Sequence, residues 1–174
     1  PFSRLRRHPR SGPQSRGLGD VYKRQEISRL GTGIDPAEAD RAAHIAYART
    51  AELARAYRIT DGPLVHNTKV NLGLRPRGLC WHWAEDMERR LDAEGFRTLA
   101  IERAIANAFN DILIDHSTAV IVARGDSFED GIVLDPWRYG GHLFWDETTD
   151  DTRYDWVARE KVHAYWRARL QPAP

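Results

Sequence analysis

The chain has 174 residues, 41% of them hydrophobic and 29% charged, the balance of a folded domain rather than a disordered or fibrous segment. Its single cysteine excludes an internal disulfide framework, and no run reaches the roughly 20 apolar residues of a membrane-spanning helix. The formal charge of +1 is unevenly split: residues 1–25 carry seven Lys or Arg against Asp20 alone, which leaves −5 on residues 26–174. The body of the chain therefore offers no argument for nucleic-acid binding.

Residues 1–25, PFSRLRRHPRSGPQSRGLGDVYKRQ, are rich in Arg, Pro, Gly and Ser and lack any apolar period. Such a composition predicts disorder. The closing GDVYKRQ also resembles a peptide that arises when sequencing adapter is translated at the edge of a metagenomic reading frame. The stretch is therefore set apart, and residues 26–174 are read as a single domain. A basic arm that binds an anionic surface is the other reading of it.

The first helix is expected to open at GIDPAEADRAAHIAYARTAELARAYRI, with Asp35 as N-cap, Pro36 at the first helical position and Glu38 where a capping box wants an acid. Ala42, Ala46, Leu53 and Tyr57 form its apolar stripe. Residues 61–79 hold Gly62, Pro63, Gly73, Pro76 and Gly78 and read mostly as loop. A second helix follows from about Leu79 to Glu94 and stops at Gly95. Cys80, Ala84, Met87 and Leu91 share one of its faces.

FRTLAIERAIAN fits a strand and a helix equally. ILIDHSTAVIVAR is strand-like, with Ile114, His116, Thr118, Val120 and Val122 on one face. GDSFEDG reads as a turn and GIVLDPW as a second strand that ends at Pro136, so an antiparallel hairpin is predicted. In WRYGGHLFW, Arg138 and His142 are expected in water, and Gly140 and Gly141 would let backbone approach a ligand. DETTDD reads as a solvated turn. The tail is expected to form a closing helix that packs through Trp156, Val162 and Trp166.

Three of these residues combine into a recognisable chemistry. Cys80 opens a helix, where the positive end of the dipole favours thiolate. His116 on a strand can take the thiol proton, and Asp135 at the end of the next strand can fix the imidazole tautomer. The order Cys80, His116, Asp135, carried by GLCWHWAEDMERRL, DHSTAVIV and IVLDPW, resembles the transglutaminase-like branch of the papain-like cysteine enzymes. The resemblance spans roughly residues 76–137. It departs from the family pattern at Thr118, where an aromatic is common.

That resemblance implies an α+β fold with a papain-like core: a helix bearing Cys80 packed on an antiparallel sheet bearing His116 and Asp135. It implies Cys80 as nucleophile, His116 as general base and acid, Asp135 as orienter, and the Cys80 backbone N–H as oxyanion donor. Asn71 and Asn67 are the nearest upstream amides for a second donor, and Asn71 is the candidate for it. Trp81, Trp83, Trp137 and Trp145 flank the site, and Trp81 and Trp137 are taken as substrate-facing. The expected activity is cofactor-free hydrolysis of a peptide or isopeptide amide in a protein or peptide substrate. Competing with it is an inactive binding or scaffold module of the bacterial cell envelope, in which Cys80 is a small buried hydrophobe and Asp135 a turn cap. Cys80, His82, His66 and His116 have ligand chemistry, but their spacing supports no metal site.

Overall fold

A computed structural model describes residues 24–170. Helix α1 (Pro36–Ala56) starts where its signals lie: Asp35 Oδ1 accepts from Ala37 N at 2.8 Å, and Pro36 opens the helix. Glu38 does not close a capping box. It is buried, and it accepts from the N–H groups of Arg97 and Thr98 at 2.8 Å each and from the Thr98 hydroxyl at 2.6 Å. Burial works to raise its pKa, but these hydrogen bonds hold it at about 2. The carboxylate thereby ties α1 to the entry of the first strand.

A helical segment at residues 24–29 precedes α1, with Ile27 fully buried and Glu26 accepting from the Trp145 indole. Arg24 and Gln25, expected in the tail, belong to it; the rest of the tail expectation falls on residues 1–23, outside the described residues.

The stretch expected as loop contains α2 (Pro63–Asn71). Gly62 and Pro63 are its N-cap and first residue rather than helix breakers. Only His66 is buried in it, so no apolar period announces it. Helix α3 (Cys80–Asp92) begins at the cysteine and ends two residues before Glu94. Ala84, Met87 and Leu91 are fully buried along its inner face.

Five strands follow: β1 (Leu99–Ala106), β2 (His116–Ala123), β3 (Ile132–Asp135), β4 (Phe144–Glu147) and β5 (Trp156–Ala158). They form one sheet of order β4-β3-β2-β1-β5, antiparallel at every pairing. The ambiguous FRTLAIERAIAN is thus a strand; β1 pairs along its whole length with β2, from Leu99 opposite Ala123 to Ala106 opposite His116. Strand β2 starts later than expected, at His116, leaving Ile114 69% exposed. The closing helix α4 (Arg159–Leu170) also starts late, because Trp156–Ala158 extends the sheet beside β1. Val162 is the residue it buries, whereas Trp166 is 39% exposed.

Strand alternation gives the sheet two different faces. Ala119, Ile121, Ile132 and Leu134 join Met87, Leu91 and the alanines of α1 in one core cluster. Val120, Val122 and Val133 face the other way, with Ala104, Ala106, Phe128 and Trp156. The fold is α+β, with helices packed on an antiparallel sheet. No helix among the described residues is long and apolar enough to cross a membrane.

Candidate active site

His116 is the first residue of β2 and Asp135 the last of β3. Ala119 lies opposite Leu134, so continuing the register puts Thr118 opposite Asp135, and His116 two residues along on the same face. Such diagonal neighbours are within reach of long side chains. His116 Nε2 meets Asp135 Oδ2 at 2.7 Å, and the two residues are 2% and 1% exposed. The other ring nitrogen, Nδ1, is buried and has no hydrogen-bond partner. Trp137 and Tyr154 pack against the imidazole at a tilt of 42° and 46°, with centroids 4.6 Å away, and Trp156 lies 5.3 Å away.

Cys80 arrives from the opposite face, half-buried at the first position of α3, with Sγ 3.7 Å from the carbonyl oxygen of Asp115. Burial works to lower the His116 pKa, but the hydrogen bond to Asp135 and the interaction with the Cys80 thiol outweigh it and raise it to about 9. Burial likewise works to raise Asp135, yet His116 and Arg138 hold it below the usual carboxylate range.

The position of Cys80 is built by the residues just before and after it. Gly78, at φ +126°, lets its own N–H and that of Leu79 converge on His82 Nδ1, each at 3.1 Å. His82 thereby satisfies donors at the helix start that no Ser or Asp is present to take. Burial first, and then Arg77, push the His82 pKa down, which keeps Nδ1 an acceptor. Trp83 Nε1 donates to Gly78 O at 3.1 Å, and His66 Nε2 lies 2.9 Å from Arg77 O. His66 and His82 therefore serve the turn before Cys80.

The remaining sequence candidates separate. Asn71, the last residue of α2, is exposed, and none of its hydrogen bonds reaches Cys80, His116 or Asp135. Asn67, one turn earlier, accepts from Trp137 Nε1 at 3.0 Å through Oδ1, and Trp137 is a ring packed against His116. Trp81 is 47% exposed beside Cys80, while Trp83, Trp137 and Trp145 are buried. Gly140 and Gly141 approach Asp61 and Ala54 rather than open space. His142 is exposed.

Two corrections concern charge. Arg138 is 4% exposed, not solvated, and Asp151, in the run read as a solvated turn, is buried. Arg138 donates from Nε to Asp135 Oδ2 at 2.9 Å and from its backbone N–H to Oδ1 at 3.1 Å. Its Nη1 and Nη2 donate to Asp151 at 3.1 and 2.5 Å. The Trp156 indole donates to the same carboxylate at 2.8 Å. The only sequence signal for this pair was Arg138 standing three residues after Asp135.

Surface cavities of about 250 and 420 Å³ lie around the β2–β3 turn, at the opposite end of those strands, and neither is lined by Cys80, His116 or Asp135. Among the described residues no three His, Cys, Asp or Glu side chains are grouped to hold a metal ion. In comparisons with known proteins, no family model, curated protein or solved structure matches this chain.

Proposed function

We propose that the chain is a cysteine-dependent acyl-transfer enzyme with a papain-like, transglutaminase-like core, hydrolysing a peptide or isopeptide amide through Cys80, His116 and Asp135. One observation carries the reading: Asp135 engages His116 Nε2 at 2.7 Å, leaving the buried Nδ1 without a partner on an imidazole that interacts with the Cys80 thiol. His66 also has a buried Nδ1 without a partner, at a cost of about 1–3 kcal/mol, so what sets His116 apart is the combination: a buried carboxylate on one ring nitrogen and the Cys80 thiol acting on the same imidazole.

The chemistry follows from that geometry. Cys80 Sγ, as thiolate, attacks the amide carbon, and the carbonyl π pair moves onto oxygen. The Cys80 backbone N–H, among the unpaired donors of the first turn of α3, receives that oxyanion. Asn67 is the second donor in this scheme: its Oδ1 is held by Trp137, so Nδ2 is the group it has to offer. His116 Nδ1–H protonates the nitrogen as the C–N bond breaks, and the amine leaves. Water then attacks the thioester while Nδ1 takes its proton, and the C–S bond breaks to restore the thiolate. Asp135 holds the ring throughout and stays ionised.

The test is the rate of Cys80 alkylation by iodoacetamide against pH, in the native chain and in His116→Ala. An unassisted thiol follows a pKa of about 8.5, whereas a thiolate paired with imidazolium keeps reacting below about pH 7. Low-pH reactivity that vanishes in His116→Ala is the expected result. An ordinary profile in both chains would refute the enzyme reading and return the protein to the class of binding modules.

A further inference from the structure

The buried charge at this site does not end at Asp135. Asp135, Arg138 and Asp151 form one chain of contacts, and all three are nearly inaccessible to water. Together they carry two negative charges and one positive, so the cluster is one negative charge in excess before His116 is counted. In a low-dielectric interior such an excess is costly unless a cation lies against it. Among the described residues, the only ring beside it that can take a proton near neutral pH is His116.

We infer that Arg138 and Asp151 are positioning residues of the Cys80–His116–Asp135 site: they clamp the Asp135 carboxylate toward His116 and leave the cluster one negative charge in excess, so that His116 is held as imidazolium. The inference rests on the triad reading but concerns residues outside it. Arg138 fixes both oxygens of Asp135, Oδ2 through its side chain and Oδ1 through its backbone. Arg138 is itself fixed by its bidentate bond to Asp151 and by the Phe144 ring 3.6 Å below its guanidinium. Asp151 is held in turn by the Trp156 indole and the Arg153 N–H, at 2.8 and 3.0 Å. Without Asp151, Arg138 would spend its whole charge on Asp135 and the excess would vanish.

Among the described residues, the groups facing His116 are few. Cys80 approaches from α3 and Asp135 from β3, while β1 presents only Ala106. Tyr154 packs from the loop before β5, and burial raises its pKa further above neutral, so it stays uncharged. Arg153 lies over the Tyr154 ring, 5.4 Å from its centroid, on an exposed residue.

The experiment is an NMR titration of the His116 ring nitrogens in the native chain, Cys80→Ser, Asp151→Asn and Asp151→Glu, with the alkylation profile read on the native sample. His116 should stay protonated above the ordinary value of about 6.5 in both the native chain and Cys80→Ser. In Asp151→Asn its midpoint should fall by about one unit or more, a tenfold loosening of the proton, and Asp151→Glu should recover most of it. An unmoved midpoint in Asp151→Asn overturns the inference, as does a return to about 6.5 in Cys80→Ser, which would make the thiolate the sole cause. Should Asp151→Asn fail to fold, the native and Cys80→Ser pair decides. Absence of low-pH alkylation with a raised His116 midpoint would sink the nucleophile reading instead.

Discussion

Gly78→Ala isolates the turn that delivers Cys80. Gly78 has φ +126°, a conformation L side chains rarely adopt, and an added Cβ would lie 2.3 Å from His66 Nε2 and 2.5 Å from its Cδ2. Backbone strain of this kind costs about 1–3 kcal/mol. The His66 ring is buried and must move, surrendering its 2.9 Å contact with Arg77 O, a loss of about 1 kcal/mol. Overpacking adds about 1–3 kcal/mol. These costs overlap as the loop shifts, so a destabilisation of about 4 kcal/mol is expected. Urea unfolding reads it as a fall in midpoint. Gly33→Ala is the control, since a Cβ there meets nothing within 4 Å, and it should stay within about 1 kcal/mol of native. Gly78 also anchors His82 and Trp83 through its N–H and carbonyl. Low-pH alkylation of Cys80 should therefore fall in Gly78→Ala even under conditions where the chain remains folded. A variant within about 1 kcal/mol of native with full reactivity would refute the idea that this turn sets the nucleophile.

Raising the His116 pKa from 6.5 to about 9 makes the fold bind that proton more tightly than the unfolded chain does. The resulting stability is complete below about pH 6.5 and is lost as pH rises through about 9, a change of order 3 kcal/mol. Urea unfolding of Cys80→Ser at intervals across that window checks it, since no thiol there loses a proton to offset the one His116 gains, and adding His116→Ala should flatten the curve. Asp135→Asn breaks a buried pair on a residue that also serves Arg138; it should cost about 3–5 kcal/mol and abolish low-pH alkylation. Glu38 runs in the other direction: lowered from 4.5 to about 2, it contributes stability present above about pH 4.5 and lost as pH falls through about 2. Glu38→Gln should make the chain less acid-dependent and less stable at pH 7 by about 2 kcal/mol, while leaving the Cys80 alkylation profile unchanged.

What could be read from sequence was local. Asp35 followed by Pro36 is a capping signal whose partners lie within two residues, and the structure keeps it. The order of Cys80, His116 and Asp135 along the chain was visible because Gly78 marks the start of one helix and Pro136 the end of one strand, but the β-branched run from Ile112 put His116 inside a strand that in fact starts at it. Helix α2 was hidden because it buries one side chain and opens on residues that usually end helices. Strand β5 was hidden by its three-residue length. Arg138 and Asp151 failed for a different reason. A charged residue in a loop is solvated unless another part of the chain brings it a partner, and their pairing across 13 positions has no local signature.

The two-faced sheet explains why boundary residues form the site. Helix α3 packs on the face that carries Ala119, Ile121 and Leu134, whereas the alternation of β2 and β3 sends His116 and Asp135 to the face of Val120 and Val133. A cysteine in the middle of α3 would have the thickness of the sheet between it and the imidazole. Cys80 and His116 are each the first residue of their element, and the Cys80 thiol lies 3.7 Å from the Asp115 carbonyl just before β2, so Cys80 stands at the end of that strand rather than across the sheet from the ring. The devices that fix those two starting points then matter to the proposed site as much as Cys80, His116 and Asp135 do. For α3 they are Gly78, His66 and the His82 ring. For β2 they are Asn107, which donates to Ile114 O at 3.0 Å, and Asn110, whose Oδ1 accepts from the N–H groups of Ile112 and Leu113 at 2.9 and 3.0 Å. This loop ends at Asp115, whose carbonyl the Cys80 thiol touches, so the segment that starts β2 also positions that thiol.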